Sequence, residues 1–304
     1  MKSVTKLLVV ALAFGATTLS AQDCCIEPIA CDPCGSICCD YDFSVYGELL
    51  YWDICAVSDN QSGIQQNVRE YGSDYQSGYR VGAAIQTACW QLAARYASVD
   101  STKSFSDEFV FPGNVTSKRT FDYSVLDINI GRSIALQRIC GTVTPFVGVK
   151  LAWIKERKDV TAFETVAYRF QLSNKFDGYG LNIGAAFDAK LWERCLPTSF
   201  VAKLSCAFVK GSFTGDFKQM AGTKPFSPTI FQDICSLVFV PELYVGLNFA
   251  LFECDCFTSD LSIGYEAQLW TQYLLTLNND ITHSTRREGA LAVDGLVVRL
   301  AVGF

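Results

Sequence analysis

The chain has 304 residues, of which half are hydrophobic and 13% are aromatic, and its formal net charge at pH 7 is −6. Its charged residues are scattered along the chain, so the sequence offers no basic tract for nucleic acid or for anionic lipid. Aromatic side chains fit pleated surfaces well, and the composition therefore favours β-structure.

Residues 1–22 are predicted to be a secretory signal peptide. Two lysines precede the apolar run Leu7–Phe14, and the small residues Ser20 and Ala21 follow it. The run is too short to cross about 30 Å of hydrocarbon as a helix. Two residues separate Ala21 from the first cysteine, which excludes a lipoprotein signal. We therefore expect an exported chain.

Residues 23–42 are predicted to be an irregular, cysteine-rich periplasmic arm without periodicity. Thiols in an oxidising periplasm are expected to form disulfides. Cys31 and Cys34 also have a spacing found in zinc sites, but an oxidising compartment disfavours free thiolates, so neither a metal nor a cofactor is predicted. The cysteines of the arm are Cys24, Cys25, Cys31, Cys34, Cys38 and Cys39.

Residues 43–304 are predicted to form an all-β transmembrane barrel, antiparallel and up-and-down, with about ten strands and a range of 8–14. Apolar residues alternate with small or polar residues, as in Tyr79–Gln86, Tyr179–Asp188 and Leu261–Leu269. Long connections alternate with short ones, as outer loops and inner turns do in membrane barrels. The long connections are predicted at roughly Cys55–Ser77, Ser98–Thr120, Lys155–Asp177, Ser212–Ile234 and Tyr273–Ala290. The ten strands are predicted to begin near Phe43, Gly78, Cys89, Phe121, Val143, Gly178, Ser199, Ser236, Ser259 and Leu291.

The alternative for this region is a soluble β-sandwich or a lipocalin-like barrel. Its second face would carry many charges, whereas here that face consists largely of Gly, Ala, Ser, Asn and Gln. Aromatic residues near the strand ends, including Trp52 and Trp270, are expected to form interfacial girdles. Both observations favour the membrane barrel.

The C-terminal residues Leu296–Phe304 alternate to the last position of the chain. A closing strand has to pair with the first strand, because unpaired backbone groups in lipid are costly. The terminal aromatic Phe304 resembles the assembly signal of Gram-negative outer-membrane barrels. Together with Tyr46–Trp52, Gly78–Gly82 and Ala94–Tyr96, it is similar to the Legionella-type major outer-membrane porin family. The cysteine content is similar to that of chlamydial cysteine-rich porins, and this resemblance implies a disulfide-linked envelope.

If both termini are periplasmic, five further cysteines fall at short inner turns. They join the six cysteines of the arm as disulfide candidates, within the arm, between arm and turns, or between molecules. Cys55 and Cys235 map to outer loops, and Cys206 maps to a strand. The five turn cysteines are Cys89, Cys140, Cys195, Cys254 and Cys256.

Charged residues on the face opposite the apolar stripe are predicted to line the lumen, because a charge facing lipid costs roughly 2–4 kcal/mol at mid-depth. They either pair and plug the interior or line a water path. These residues are Glu48, Arg80, Arg95, Asp127, Lys150, Asp188, Lys190, Lys203, Glu242, Glu266 and Arg299.

The first functional hypothesis is a general porin for small hydrophilic solutes. The alternative is a structural envelope protein whose barrel anchors a disulfide network. An enzyme is not expected, because the one histidine, His283, falls in a predicted loop and no catalytic motif is present. Expected partners are outer-membrane lipid, the barrel-assembly machinery, and disulfide-linked copies of the chain or other cysteine-rich envelope proteins.

Overall fold

The computed structural model describes residues 41–58, 75–87, 89–111, 113–136, 139–163, 167–192, 197–221, 224–225, 229–254, 257–280 and 283–304. The predicted signal peptide and nearly all of the arm lie outside these residues and stay predictions. Within the described ranges, no helix is long and apolar enough to cross a membrane.

Almost all of the described chain is β-strand. Ten strands are long, and β5 and β9 are short additions to their neighbours. The strands are β1 (Tyr41–Ser58), β2 (Gln76–Thr87), β3 (Trp90–Phe111), β4 (Gly113–Arg132), β5 (Ile134–Leu136), β6 (Gly141–Phe163), β7 (Ala167–Trp192), β8 (Thr198–Ala221), β9 (Lys224–Pro225), β10 (Thr229–Cys254), β11 (Phe257–Asp280) and β12 (His283–Gly303).

The ten long strands form one closed antiparallel barrel. Each pairs with the long strand before and after it in the chain, β8 pairs with β10, and β12 pairs with β1. A closed sheet has no unpaired edge, which is the condition for a strand structure in lipid. The predicted fold class and a strand number of ten are confirmed.

Closure extends to the last residue of the chain. The Phe304 amide donates to the Phe43 carbonyl at 2.8 Å, and the Phe43 amide donates to the Phe304 carbonyl at 3.1 Å. The exposed Phe304 ring packs edge-on against Phe257, with 5.8 Å between the ring centroids. We call the end of the barrel that holds Tyr41 and Phe304 the terminal end, and the opposite end, where β11 and β12 meet at Asp280 and His283, the hairpin end.

Side chains alternate between a buried inward face and an exposed outward face. On β12, Leu296 and Leu300 are exposed, whereas Val297 and Ala301 are buried. The outward face carries large apolar side chains around the whole barrel, as the hydrocarbon of a membrane requires. The inward face contains both charged and aromatic residues, so the interior is a packed core.

Two sequence-based expectations about the strands were wrong. Trp52 and Trp270 do not belong to an interfacial girdle: both are fully buried and point inward. Most of the connections predicted as long outer loops are continuous hairpins, for example Ser98–Thr120, where β3 and β4 pair as far as Phe111 and Gly113. Paired strands satisfy their own backbone groups, so they extend beyond the apolar band even where both faces are polar.

Candidate functional site

The centre of the barrel interior holds a network of seven charged side chains from seven different strands. Its members lie at a similar height in the barrel, and all of them except Arg95 are less than 9% exposed. We call this set the central ion-pair network. Its members are Glu48, Arg80, Arg95, Asp127, Lys150, Glu242 and Glu266.

One half of the network is centred on Arg80 of β2. Its guanidinium lies 2.6 Å from Glu48 Oε2, and its two terminal nitrogens lie 2.9 and 3.0 Å from the two oxygens of Glu266. Gln268 donates to Glu266 at 2.7 Å, and the Tyr123 hydroxyl donates to Gln268 at 2.8 Å. One cation thus joins strands β1 and β11, and a neutral donor, Gln268, adds a hydrogen bond to one of its two acids, Glu266.

The other half is a ring of two acids and two bases. Arg95 contacts Asp127 at 2.7 Å and Glu242 at 2.9 Å, and Lys150 contacts the same two acids at 2.7 and 2.6 Å. Ser205 adds a hydrogen bond to Glu242 at 3.2 Å. The contacts reach across the lumen from β3, β4 and β6 to β10, because Arg95 and Glu242 lie on strands that are not neighbours.

Buried ions are stable only when attraction and hydrogen bonds replace the water they have lost. In the central ion-pair network each of the four acids contacts at least one cation within 3 Å. Each of the three cations contacts two acids. The arrangement can therefore brace the barrel wall from inside.

A layer of aromatic rings fills the interior between this network and the hairpin end. Trp52 and Trp270 both pack edge-on against Tyr123, with 5.9 Å between centroids in each pair. Phe176 contacts Trp270 at 6.4 Å and Tyr273 at 5.8 Å. We call this set, with Phe213 beside Phe176 and Tyr273, the aromatic layer. Its members are buried, and their rings pack against one another inside the barrel.

Towards the terminal end, aromatic rings lie directly against inward-facing glycines. A Cβ atom at Gly82 would come within 2.3 Å of the Tyr46 ring, and one at Gly264 within 2.6 Å of the Tyr244 ring. Only a residue without a side chain leaves room for a ring at these positions. These glycines therefore let the rings fold flat against the barrel wall.

The remaining charges predicted for the lumen are not members of the central ion-pair network: Arg299, the register partner of Glu48, and Lys203 lie beside it, and Asp188 and Lys190 lie towards the end of β7. The Arg299 guanidinium lies over the Tyr46 ring at 3.8 Å, and the Lys203 ammonium lies 5.0 Å from the centre of the Phe146 ring. Asp188 accepts a hydrogen bond from Ser199 at 3.2 Å. Lys190 is exposed near the end of β7. The prediction that the eleven residues line a conducting pore is not tested by this geometry.

Two inward-facing polar pairs were missing from the sequence-based list. Arg119 contacts Glu156 at 2.7 Å beyond the aromatic layer, and Asn182 donates to Asn129 at 3.0 Å. Arg119 and Glu156 fall in predicted loops, because the hairpin extensions lack an apolar stripe. Side chains alternate along each strand, and both residues lie an even number of positions from inward-facing residues of their own strands. Alternation therefore places both on the inward face once the strands extend this far.

The cysteines that the structure describes lie at both ends and in the wall. Cys89 is buried in the turn between β2 and β3 and is disulfide-bonded, and Cys140 lies in the turn before β6. Both turns are at the terminal end, as is the end of β10 at Cys254. Cys195, Cys256 and the cysteines of the arm lie outside the described residues. Cross-linking of the whole set therefore stays a prediction.

Possible metal ligands are not clustered in the described part of the chain. No three His, Cys, Asp or Glu side chains there are grouped so as to hold a metal ion. His283 begins β12 rather than lying in a long loop.

The apolar outer wall and the closed ring of ten strands define this chain as a transmembrane β-barrel protein. Residues 37–304 match the family described as the Legionella pneumophila major outer membrane protein precursor. The chain belongs to this family, and it is an outer-membrane protein, as the sequence predicted.

Solved outer-membrane barrels are similar over most of their length at low sequence identity. The outer membrane protease OmpT from Escherichia coli has 8% identity and a TM-score of 0.41, with 86% of this chain and 96% of that chain covered. The translocator domain of the autotransporter NalP from Neisseria meningitidis has 11% identity and a TM-score of 0.39, with 86% and 88% covered. A FadL homologue from Pseudomonas aeruginosa has 9% identity and a TM-score of 0.26, with 87% and 90% covered. A search of curated proteins finds no match.

Proposed function

We propose that this chain is a structural protein of the outer membrane, with a barrel closed by its own side chains and cysteines that link it to other envelope proteins. The observation that carries the proposal is the filled interior, in which the central ion-pair network and the aromatic layer follow one another across the lumen. A passive pore needs a continuous water path, and we infer that these two layers interrupt it.

The free-energy cost of separating the buried ion pairs supports the same function. Separating one partner from a buried ion pair costs about 3–5 kcal/mol. Opening a path through the ring of Arg95, Asp127, Lys150 and Glu242 would break several such contacts at once. The barrel is also narrow, since interiors of about eight strands are already filled by side chains. A rigid, closed anchor is the role that these contacts favour.

The cysteines supply the linking half of the proposal. The turns that hold Cys89 and Cys140 lie at the same end of the barrel as Tyr41, where the chain enters β1. The six cysteines of the predicted arm directly precede β1, so the arm starts within reach of these turns. Thiols at this density in an oxidising compartment are expected to pair. Bonds between molecules would then form a covalent layer beneath the membrane.

The closed barrel is tested by conductance in planar lipid bilayers. The purified, folded protein is expected to give no steady conductance steps, because the lumen is filled. A matched variant should give steps when it interrupts both layers, with Trp52 and Trp270 changed to Gly and with Arg95 and Glu242 changed to Ala, since it removes the two largest rings and the ion pair that crosses the lumen. Steps of defined size from the unmodified protein would show that the barrel is open and would overturn this half of the proposal.

The cross-linking is tested on non-reducing gels of alkylated outer membranes. Multimers that collapse to monomer on reduction are expected, and deletion of residues 23–40 should remove most of them while leaving a heat-modifiable barrel. Cys206 is a free cysteine in the barrel wall, and Cys206→Ala is the control that should leave the multimers unchanged. Full alkylation of the arm cysteines without prior reduction would contradict the proposal.

A general porin is the second candidate, and one observation favours it. Among the described residues Arg299 and Lys203 make no ion pair, and both face the lumen beside the central ion-pair network, where they would attract anionic solutes. If the unmodified protein conducts, Arg299→Glu and Lys203→Glu should shift its selectivity towards cations. Arg80→Glu and Arg95→Glu should do the same if an open path also passes the central ion-pair network.

A further inference from the structure

Three lysines lie side by side on the outer wall of the barrel, on three consecutive strands. Lys155 of β6, Lys175 of β7 and Lys210 of β8 are exposed, whereas the chain neighbours of each are more buried. Because side chains alternate along a strand, all three point away from the lumen. Lys155 and Lys175 are also direct register partners. We call these three residues the lysine patch.

The outward residues of β4 indicate where the apolar band of the wall begins and ends. Asp127 of this strand belongs to the central ion-pair network, and the exposed charged residues Asp122 and Arg132 lie five residues from it on either side. Ten strand residues span about 25 Å along the axis of a barrel whose strands tilt by about 40°, which is the usual height of the apolar band. No charged residue faces outward in the corresponding stretches of the next three long strands, which are Val143–Trp153, Tyr179–Ala189 and Phe200–Phe208.

The lysine patch lies at the edge of this band, on the side of the hairpin end. Lys155 lies five residues from Lys150 of the central ion-pair network on β6. Lys210 lies five residues from Ser205 on β8, and Ser205 donates to Glu242 of the network. Five strand residues correspond to about 13 Å along the axis, so the lysines lie where hydrocarbon gives way to lipid head groups.

The positive charge of the patch is compensated only in part. Lys175 forms an ion pair with Asp177 of its own strand, and both side chains stay exposed. Lys155 and Lys210 form no ion pair with any described residue, although Asp122 is the register partner of Lys155. Other strands carry outward acids at the same level, each five residues from the network member of its own strand, and these acids are Asp53, Asp100 and Asp122. Uncompensated positive charge at this level is therefore confined to one side of the barrel.

Exposed aromatic rings lie directly beside the patch, towards the middle of the band. Trp153 is two residues from Lys155 on the same face of β6 and is 41% exposed. Tyr179 is the register partner of Lys210 and is 65% exposed. Tryptophan and tyrosine favour the level at which hydrocarbon meets head groups, and lysine stems lie along apolar surface while the ammonium group reaches the polar layer. The surface thus joins an apolar wall to ammonium groups at head-group level.

We propose that the lysine patch binds the phosphate of an anionic lipid in the leaflet at the hairpin end. The wall of an outer-membrane barrel contacts lipid on every side, and the patch favours the anionic kind on this side. The acyl chains cover the apolar wall, while the phosphate accepts charge-assisted hydrogen bonds from the ammonium groups of Lys155 and Lys210. A zwitterionic head group gains less, because the lysines repel its own cation. A soluble phosphate would use only the ammonium groups and leave the apolar wall uncovered.

The test uses the full-length protein, refolded into vesicles of phosphatidylcholine that contain increasing fractions of phosphatidic acid. One of the two lipids carries brominated acyl chains, which quench the fluorescence of a tryptophan that they contact, so Trp153 reports on the lipid at the patch. Trp90→Phe and Trp192→Phe remove the exposed tryptophans of the terminal end. We expect phosphatidic acid to be preferred over phosphatidylcholine at Trp153 by about fivefold or more, because each lysine near an anionic head group contributes roughly that factor.

Substitutions of the lysines separate the patch from the general charge of the protein. Lys155→Gln combined with Lys210→Gln should remove most of the preference, and each single substitution should remove part of it. The matched control, Lys118→Gln combined with Lys218→Gln, removes two exposed lysines of the hairpin extensions and should leave the preference unchanged. All four lysines are exposed, and heat-modifiability on gels shows that each variant is folded.

A second reporter examines the acidic side of the wall at a similar level. Tyr51→Trp combined with Trp153→Phe places an outward tryptophan on β1, two residues from Asp53, and should show no preference for phosphatidic acid. An equal preference at both reporters would overturn the proposal, because the selection would then not come from the patch. So would a preference at Trp153 that survives the loss of Lys155 and Lys210.

Inorganic phosphate distinguishes a lipid from a soluble ligand. Added at millimolar concentration and constant ionic strength, it should leave the quenching of Trp153 by brominated phosphatidic acid unchanged. Displacement of the lipid would show that the patch binds soluble phosphate and would overturn the assignment to lipid. The quenching does not depend on whether the barrel conducts, so this test and the bilayer test of the closed barrel fail separately.

Discussion

The central ion-pair network and the aromatic layer fill adjacent levels of the same lumen by different physical means. The network consists of charged groups whose attraction barely exceeds the cost of removing them from water, so its stability depends on every partner being present. The aromatic layer consists of rings that contribute by burial and contact, and each ring acts more independently of the others. The two levels are therefore expected to respond differently when one side chain is removed.

The difference also bears on the role of each level. Charges in a network such as that of Arg95, Lys150 and Glu242 fix which strands face each other, because exchanging one partner leaves another ion unpaired. Rings such as Trp270 and Phe176 fill volume and tolerate small shifts. The network specifies the arrangement of the wall, and the aromatic layer supplies much of the packing.

The largest effect is expected from Lys150→Met, which removes a cation shared by Asp127 and Glu242. Both acids would then depend on Arg95, and the buried negative charge in excess should cost about 3–5 kcal/mol of unfolding free energy. Urea unfolding of the refolded barrel measures it. The control is Arg157→Met, which breaks an exposed ion pair with Asp159 and should cost at most about 0.5 kcal/mol. Equal effects of the two variants would mean that the network does not brace the barrel.

A somewhat smaller effect is expected from Phe176→Ala in the aromatic layer. Phe176 is fully buried and packs against Phe213, Trp270 and Tyr273, so the variant should lose about 3 kcal/mol through lost burial and the cavity left behind. Phe176→Leu should recover about half of that loss, because it refills part of the volume. No recovery with leucine would show that this level, too, depends on specific partners.

The sequence was sufficient to predict which residues face the lipid, but it was insufficient to predict the contacts between residues that face the lumen. Alternation at positions such as Leu296 and Leu300 predicted the lipid-facing stripe, because contact with hydrocarbon constrains residue type strongly and locally. Contacts across the lumen, such as Arg95 with Glu242, join residues far apart in the chain whose partners depend on strand tilt and register. The sequence therefore predicted inward-facing charges but not whether they pair.

For Trp52 and Trp270, the residue type alone does not predict whether the side chain faces inward or outward. Aromatic residues near strand ends occur in interfacial girdles and in filled lumens alike, and composition does not distinguish the two. Trp52 lies four residues from Glu48 on β1, and Trp270 lies four residues from Glu266 on β11. Because side chains alternate along a strand, this even spacing indicates that both tryptophans share the inward face with the two acids. Alternation along the strand is thus a better guide than residue type to whether an aromatic residue of a narrow barrel faces inward or outward.

The smallest and most selective effect is expected from a pair of hydroxyl deletions that joins the two levels. The Tyr123 hydroxyl donates to Gln268, which in turn donates to Glu266 of the central ion-pair network, whereas the Tyr273 hydroxyl is buried without a hydrogen-bond partner. Tyr123→Phe leaves the Gln268 oxygen unpaired and should cost about 1 kcal/mol or somewhat more. Tyr273→Phe removes only an unsatisfied group and should be neutral or slightly stabilising. Both changes keep the ring and its packing, so the difference between the two unfolding free energies isolates the hydrogen bond. If Tyr273→Phe destabilised the barrel as much as Tyr123→Phe, the link between the aromatic layer and the central ion-pair network would have no measurable energy of its own.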